Sequence, residues 1–591
     1  MSRISLQVLY VVLLFLGAVL LLLPENLYQT SNIRFVFSGA VSVVALLLVT
    51  KLKISRVHIF LGLFMLWQIG SYLMSDMQAS AFWNMVFWLS ALITCFTVSQ
   101  LDNSNSFTNV VLGVLILSPL VISGFGLLQA YTDVSLPYIS LAFPGSSFSN
   151  RNFASNAISL SLPLLLMLAY MSSVLLIRVF ATVVLIASIA FLASAKTRGV
   201  ILSLVISIVF FIWLYWSLKE KVANEKWLLD KNSISVLKLL IKTIVLLLVF
   251  TFVWGQAPVK KELALTPDNS IQYRIDAWES SAKGIIDSPI LGHGMGSYRE
   301  VAYQNLSGDD LRRSTNEDKQ MVHAHNQYIE IWLENGLIGL LLFLSIIYVS
   351  FKQLLRKPSI VGLLLGAGIA TSLIHGFFSF PLYYGGTSSL FFIYLGLMMV
   401  ITREEEGLLF DGSLLKSNLI RLFLVLLMAL GVGVSYAGLK HGERLGAVYH
   451  SGMDRINCEA LSAYQEHVEG FWLSEYKAKI VYVSALNSCG VYNAETYQNV
   501  LELLKRDPTF VRGALYLAKI EIAEGRLEQA QGRLFSLVSH HQELVEPWLY
   551  LADIAMQQGE VDNAKAFLEA SKGNGAKKPM IEFYERKLFG G

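Results

Sequence analysis

Charge is what this chain has least of. Of 591 residues, 15% are Asp, Glu, Lys or Arg while 54% are hydrophobic, whereas a soluble domain carries roughly 25% charged residues. The mean hydropathy is +0.54. That shortage excludes a wholly soluble cytosolic enzyme and a disordered hub. The 46 basic and 43 acidic side chains nearly cancel, to +3. With no basic block anywhere, a nucleic-acid binder is excluded as well. Cysteine is scarce too, with three residues: Cys95 inside an apolar run, and Cys458 and Cys489 near the end. In an exported segment the last two would form a disulfide, and in a reducing compartment they would stay two buried thiols.

What the chain does have is length of apolar run. Stretches of the size needed to cross a hydrocarbon core of roughly 30 Å fall at 5–23, 33–50, 57–75, 80–98, 108–130, 153–171, 179–195, 199–217, 236–254, 333–351, 360–379, 385–402 and 419–437. The first is longer than a signal-peptide core and has no small-residue cleavage site, so it is expected to stay as an anchor. The predicted fold class is all-α, a polytopic membrane helical bundle of about 12–13 spans. The expected organisation is a first bundle segment over 1–254, a long loop over 255–332, the remaining spans over 333–437 and a soluble helical domain over 438–591.

Orientation follows from where the cations sit. Lys51, Lys53, Arg56, Lys219, Lys221, Lys226, Lys231, Lys352, Arg356, Lys357, Arg403 and Lys416 fall in loops of one side; Arg34, Arg151, Lys196 and Arg198 are on the other. The richer side is expected to be cytoplasmic, which puts the 255–332 loop and, for an odd number of spans, the tail in the periplasm. The tail is repetitive. Leu515, Tyr516, Leu517, Ala518, Gly525, Ala530 and Leu534 recur as Leu549, Tyr550, Leu551, Ala552, Gly559, Ala564 and Leu568. That offset is the period of a tetratricopeptide (TPR) repeat, which stacks antiparallel helix pairs and serves protein contact or internal bracing.

Most of the apolar portion is packing or lipid-facing surface; Trp83, Trp88, Phe211 and Tyr215 are read that way. The informative residues are polar groups at the outer ends of spans, where burial is costly. Four segments qualify. The loop Gly145–Phe153 holds Asn150 and Asn152, which suit helix capping or a ligand. Ser194 to Gly199 pinches Lys196 and Arg198 between two spans, for snorkelling to lipid or for binding a diphosphate. The third runs from Tyr273 through Arg274 and Trp278, which share a helical face, to the glycines of Ser288–Tyr298. The fourth is Val322-His323-Ala324-His325-Asn326-Gln327-Tyr328. Zinc would need a third ligand, and none stands at suitable spacing. His325 therefore suits a capping role or general-base work.

This ordered set resembles the O-antigen ligase superfamily, which includes O-antigen ligases, O-antigen polymerases and bacterial protein O-oligosaccharyltransferases. The similarity spans roughly residues 140–400. It implies a helical bundle with a cavity at the outer leaflet of the bacterial inner membrane. It also implies transfer of a glycan from an undecaprenyl-diphosphate carrier to an acceptor hydroxyl, with inversion and without metal or other cofactor. By position, His325 matches the family's essential histidine, with Asn326 its motif neighbour, and Arg198 and Arg274 match the arginines that hold the diphosphate. Lys196 joins them on local chemistry alone, and His323, Asn150, Asn152 and Trp278 are expected in support.

The length and tail look most like the protein O-oligosaccharyltransferases, which would make the acceptor Ser or Thr of a protein such as a pilin. His375 and Phe380-Pro381-Leu382-Tyr383-Tyr384 are similar to a motif of that subgroup. Ser379 stands where that subgroup has Glu, and Asn150 where it more often has Gln. The alternative acceptors are lipid A core or a growing glycan. A lipid-linked glycan transporter would need polar mid-span residues and interrupted helices, and little beyond Gln68 qualifies.

Overall fold

The computed structural model describes, apart from short breaks, residues 3–222, 270–305, 323–403, 408–411 and 485–590, with isolated positions between 433 and 483. Eleven apolar helices form the bundle: α1 (Arg3–Leu20), α2 (Thr30–Leu47), α3 (Arg56–Met74), α4 (Gln78–Ser99), α5 (Asn105–Tyr131), α6 (Arg151–Met171), α7 (Leu175–Ala195), α8 (Arg198–Val222), α11 (Gln327–Arg356), α12 (Ile360–His375) and α13 (Gly385–Ile401). Between α8 and α11 lie α9 (Ser270–Asp287) and the short α10 (Tyr298–Gln304). Six of the bundle helices are long and apolar enough to cross a membrane, and the other five contain shorter apolar helical stretches. Each coincides with an expected span; those at 236–254 and 419–437 fall outside the described residues.

Burial sorts the helices as their sequences dictate. In α13 every residue from Gly385 to Val400 is buried, the expected state of a helix that is apolar all round. It is enclosed by α2, α4, α6 and α12. The outer helices show large apolar side chains instead, Leu66 and Leu73 on α3, Leu176 and Val183 on α7, Trp213 on α8. A water-soluble protein would not leave such a belt uncovered, and in a bilayer it meets lipid tails.

Among the described residues a two-stranded sheet stands apart from the helices. Lys51–Ile54 (β1) pairs antiparallel with Leu408–Asp411 (β2), Lys51 opposite Asp411. The two stretches follow α2 and α13, and their pairing places both connections at the same end of the bundle. Arg403 reinforces that end by donating to the Leu101 and Ser99 carbonyls. The opposite end carries the turn between α7 and α8, the start of α11 and the end of α12.

The glycine run after α9 has a structural purpose. Helix α11 is broken at Gly336, where φ is 65°, and the Pro289–Gly294 segment docks in the break. The Leu337 amide donates to the Pro289 carbonyl (3.0 Å), and the His293 and Gly294 amides donate to the Leu333 and Glu334 carbonyls (3.0 and 2.9 Å). A side chain on Gly336 would collide with the Ile290 carbonyl, so both the left-handed backbone and the close approach demand glycine.

In the tail, helices α14 (Ala494–Arg506), α15 (Val511–Ala523), α16 (Leu527–His540), α17 (Val545–Gln557), α18 (Val561–Gly573) and α19 (Lys578–Phe589) follow one another. The sequence repeat reappears as geometry. Gly525 and Gly559 both end a helix in left-handed conformation, and the next amides reach back to the Glu521 and Ala555 carbonyls (2.7 and 2.8 Å), a Schellman closure used twice. Cys458 and Cys489 form a disulfide. Ala277 of α9 lies in one apolar cluster with Val511 and Leu515 of α15, Leu534 of α16 and Leu551 of α17, and Tyr273 and Trp278 pack against it. The tail thus adjoins the helix that carries Arg274.

Candidate active site

The start of α11 is built to hold a short loop still. Asn326 caps the helix, its side-chain oxygen accepting from the Tyr328 and Ile329 amides (3.0 and 3.2 Å). Glu330, one turn inside, reaches back out. Its Oε1 lies 2.6 Å from His323 Nδ1, and its Oε2 accepts from the Ala324 amide at 3.1 Å. The Ala324 carbonyl accepts from Trp278 Nε1 at 2.9 Å, so α9 and α11 grip one residue through its amide and its carbonyl. His325 stands between that grip and the Asn326 cap, in left-handed conformation with φ 51°. A side chain so placed on a locked backbone has few orientations to choose from.

The His325 ring meets Tyr273 edge-on at 5.5 Å and Phe380 edge-on at 5.0 Å. Burial first, then the charges of His323 and Arg274, push its pKa down to about 3. It is neutral at pH 7, with a lone pair to offer. Phe380 is a hub: it also stacks on His323 at 3.9 Å and meets Phe153 at 5.3 Å. The connection carrying it is tied to α11, since the Gln327 amide donates to the Gly376 and Ser379 carbonyls and the Leu382 amide donates to Gln327 Oε1.

Arg274 is half-buried on α9, and burial lowers its pKa without a neutralising partner. Among the described residues its Nε has no hydrogen-bond acceptor, and its charge is felt at both His325 and His375. The turn between α7 and α8 is two residues long, Lys196 and Thr197, and Arg198 opens α8. Lys196 ends α7 in left-handed conformation with φ 52°; Lys196 and Arg198 are exposed and Thr197 is buried. No described residue takes a hydrogen bond from either cation's side chain. Gly199 faces His375, a Cβ there standing 3.5 Å from His375 Cδ2.

His323, His325, Asn326, Arg274 and Trp278 therefore lie in one neighbourhood, and the turn that carries Lys196 and Arg198 adjoins His375 through Gly199. Asn150 serves as the cap of α6, accepting from the Asn152 amide at 2.8 Å. The pair borders the cluster through Phe153, which stacks on Tyr384 at 4.4 Å. No group of three metal-capable side chains occurs among the described residues.

Sequence reasoning missed Glu330 and Glu334. The latter accepts from the Tyr383 hydroxyl (2.9 Å) and the Tyr298 amide (3.3 Å). A signal was there: two carboxylates four residues apart, on one helical face, at the mouth of an apolar span.

Comparison with known proteins agrees with this geography. The O-antigen ligase family pattern matches residues 181–344, the stretch holding both cations of the turn, Arg274, Trp278, His323, His325 and Asn326. A protein of Rickettsia conorii named as a candidate polysaccharide ligase is 37% identical over 98 residues, which is 16% of this chain and 22% of that relative. One of Rickettsia typhi with the same kind of name is 34% identical over 95 residues, 16% and 23% of the two chains. An uncharacterized Haemophilus influenzae protein is 31% identical over 80 residues, 14% and 19%. The chain spans about a fifth to a quarter of the length of these curated relatives. By the segment that builds the site, the protein resembles the O-antigen ligase superfamily.

Proposed function

We propose that the protein is a membrane glycosyltransferase of O-antigen ligase type, moving an oligosaccharide from an undecaprenyl-diphosphate carrier to a hydroxyl acceptor. The observation that carries this reading is a neutral imidazole, His325, on a locked backbone in the field of a half-buried arginine whose Nε has no acceptor among the described residues. The acceptor oxygen bonds to the anomeric carbon as the bond from that carbon to the phosphate oxygen breaks, inverting the centre. His325 takes the hydroxyl proton, and the electron pair leaves on the diphosphate.

Arg274, Arg198 and Lys196 stabilise the growing negative charge, arginine's planar fork matching phosphate oxygens. Charge-assisted hydrogen bonds contribute about 1.5–3 kcal/mol each, so two that tighten in the transition state supply about two to four orders of magnitude in rate. The diphosphate is its own leaving group, so the reaction needs no cofactor. The anionic donor also works on the base: beside a diphosphate, the potential that depresses His325 is opposed, and its proton affinity rises.

The cation-rich loops at the β1–β2 end support a cytoplasmic placement there, in the inner membrane, with the α9 loop and the tail in the periplasm. A disulfide in the tail suits that compartment. The 34-residue helical repeat supports a tetratricopeptide reading for 438–591, and its seat on α9 favours a protein acceptor such as a pilin, presented beside the site. The names of the Rickettsia relatives favour a second reading, in which the acceptor is lipid A core or a growing glycan.

Expression beside a defined lipid-linked glycan, a pilin and lipid A core, with blot and mass spectrometry, separates the two. Glycan on the pilin supports the first. Glycan only on lipid A or on longer chains supports the second, and glycan on nothing overturns the enzyme.

A further inference from the structure

His375 ends α12 with 3% of its surface exposed, and hydrogen bonding fixes where its proton sits. The Ser372 hydroxyl donates to Asn156 Oδ1 at 3.1 Å, which leaves the Asn156 amide nitrogen to donate to His375 Nδ1, also at 3.1 Å. A ring nitrogen that accepts carries no hydrogen, so in the neutral imidazole the hydrogen lies on Nε2. No described residue accepts it.

That nitrogen is not turned into the core. A Cβ on Gly199 would stand 3.7 Å from Nε2, so this edge of the ring faces the turn that carries Lys196 and Arg198. In the same turn the Thr197 hydroxyl is buried with no partner among the described residues, and the charge of Arg274 is felt at His375. Two hydrogen-bond donors without acceptors among the described residues, beside a turn with two exposed cations and in the field of a third, describe the negative of a polyanionic ligand, because unpaired donors invite something that accepts from them.

We propose that His375 is a binding residue for the lipid-linked donor, its Nε2–H donating to a phosphate oxygen held between Arg274 and the turn at Lys196–Arg198. Asn156 and Ser372 are positioning residues that keep the hydrogen on that nitrogen. This deepens the diphosphate reading of the site and rests on it. A neutral donor adds directionality where the cations supply charge, and helps to separate a diphosphate from a single phosphate.

The test is binding of undecaprenyl diphosphate and undecaprenyl monophosphate to the purified full chain in nanodiscs, with variants chosen for which ring nitrogen they mimic. His375→Gln reaches the Nε2 position with an N–H, while His375→Asn reaches only Nδ1 and can still accept from Asn156. The expected result is diphosphate binding within about threefold of wild type for Gln, and about 10- to 100-fold weaker for Asn. The reverse order, Asn retaining binding and Gln losing it, would assign His375 a purely structural role and overturn the proposal, as would equal binding by both. Should His375→Asn not elute as folded protein, His375→Phe takes its place with the same expected loss. If wild-type protein binds neither lipid, it is the diphosphate reading that fails. Wild-type binding with an unaffected Asn or Phe variant removes His375 alone.

Discussion

The His323–Glu330 loop and the Lys196–Arg198 turn face the same spot and are built in opposite ways. In the first, nearly every polar group is spoken for, with the Ala324 amide and carbonyl both held and Asn326 spent on capping. In the second, two cations stand exposed and a buried hydroxyl has no partner. Arg34 shows what a structural arginine looks like in this fold: it is buried and donates to the Ala18 and Ser147 carbonyls. A group that moves a proton needs its orientation fixed beforehand, whereas groups that bind a charged ligand must be left without partners until it arrives. On the proposed function, the contrast suits the first region to chemistry and the second to binding.

Breaking the chemical region is expected to have the largest effect. His325→Ala should lower glycan transfer by about 10²–10⁴-fold with normal protein levels and unchanged binding of undecaprenyl diphosphate, measured as turnover and lipid binding on the same preparation. Next comes the binding region. Arg274→Ala should weaken diphosphate-lipid binding about 10- to 100-fold, and Arg274→Lys should recover only part of that, because an ammonium cannot reproduce the planar fork.

Glu330→Gln sharpens the comparison from the supporting side. It keeps one oxygen acceptor and loses the other, so turnover should fall about tenfold with the apparent KM for donor unmoved. A rise in KM alone would place Glu330 in binding instead. The smallest effect is an expected absence. The competent form of His325 is the neutral one, and with its pKa pushed down to about 3 that form persists as pH falls from 7 to 5. The kcat/KM profile should therefore show no descent from this group, whereas an imidazole near 6.5 would lose most of its neutral fraction over the same range.

Much of this was legible in the sequence, because the membrane writes its demands in long runs. Eleven expected spans stand within a few residues of their helices, and the polar segments that hold His325, Arg274 and Arg198 stand out in the sequence against the apolar runs around them. The glycines from Gly292 to Gly296 were legible as permitting close approach, but their partner, the break at Gly336, is a tertiary fact no local pattern encodes. Glu330 escaped notice because a carboxylate at a helix start has an ordinary explanation, favouring the helix dipole, and only the fold reveals that it turns backwards to His323. The β1–β2 pair joins segments some 350 residues apart, a separation over which short polar stretches carry no pairing signal.

The central claim concerns a meeting place, so the most direct measurement is a structure of the full chain in nanodiscs with undecaprenyl diphosphate bound. The account predicts the two phosphates between Arg274 and the turn at Lys196–Arg198, with the His325 ring facing the anomeric side of that group. Phosphates bound at the β1–β2 end, or at a place that neither Arg274 nor His325 approaches, would contradict it.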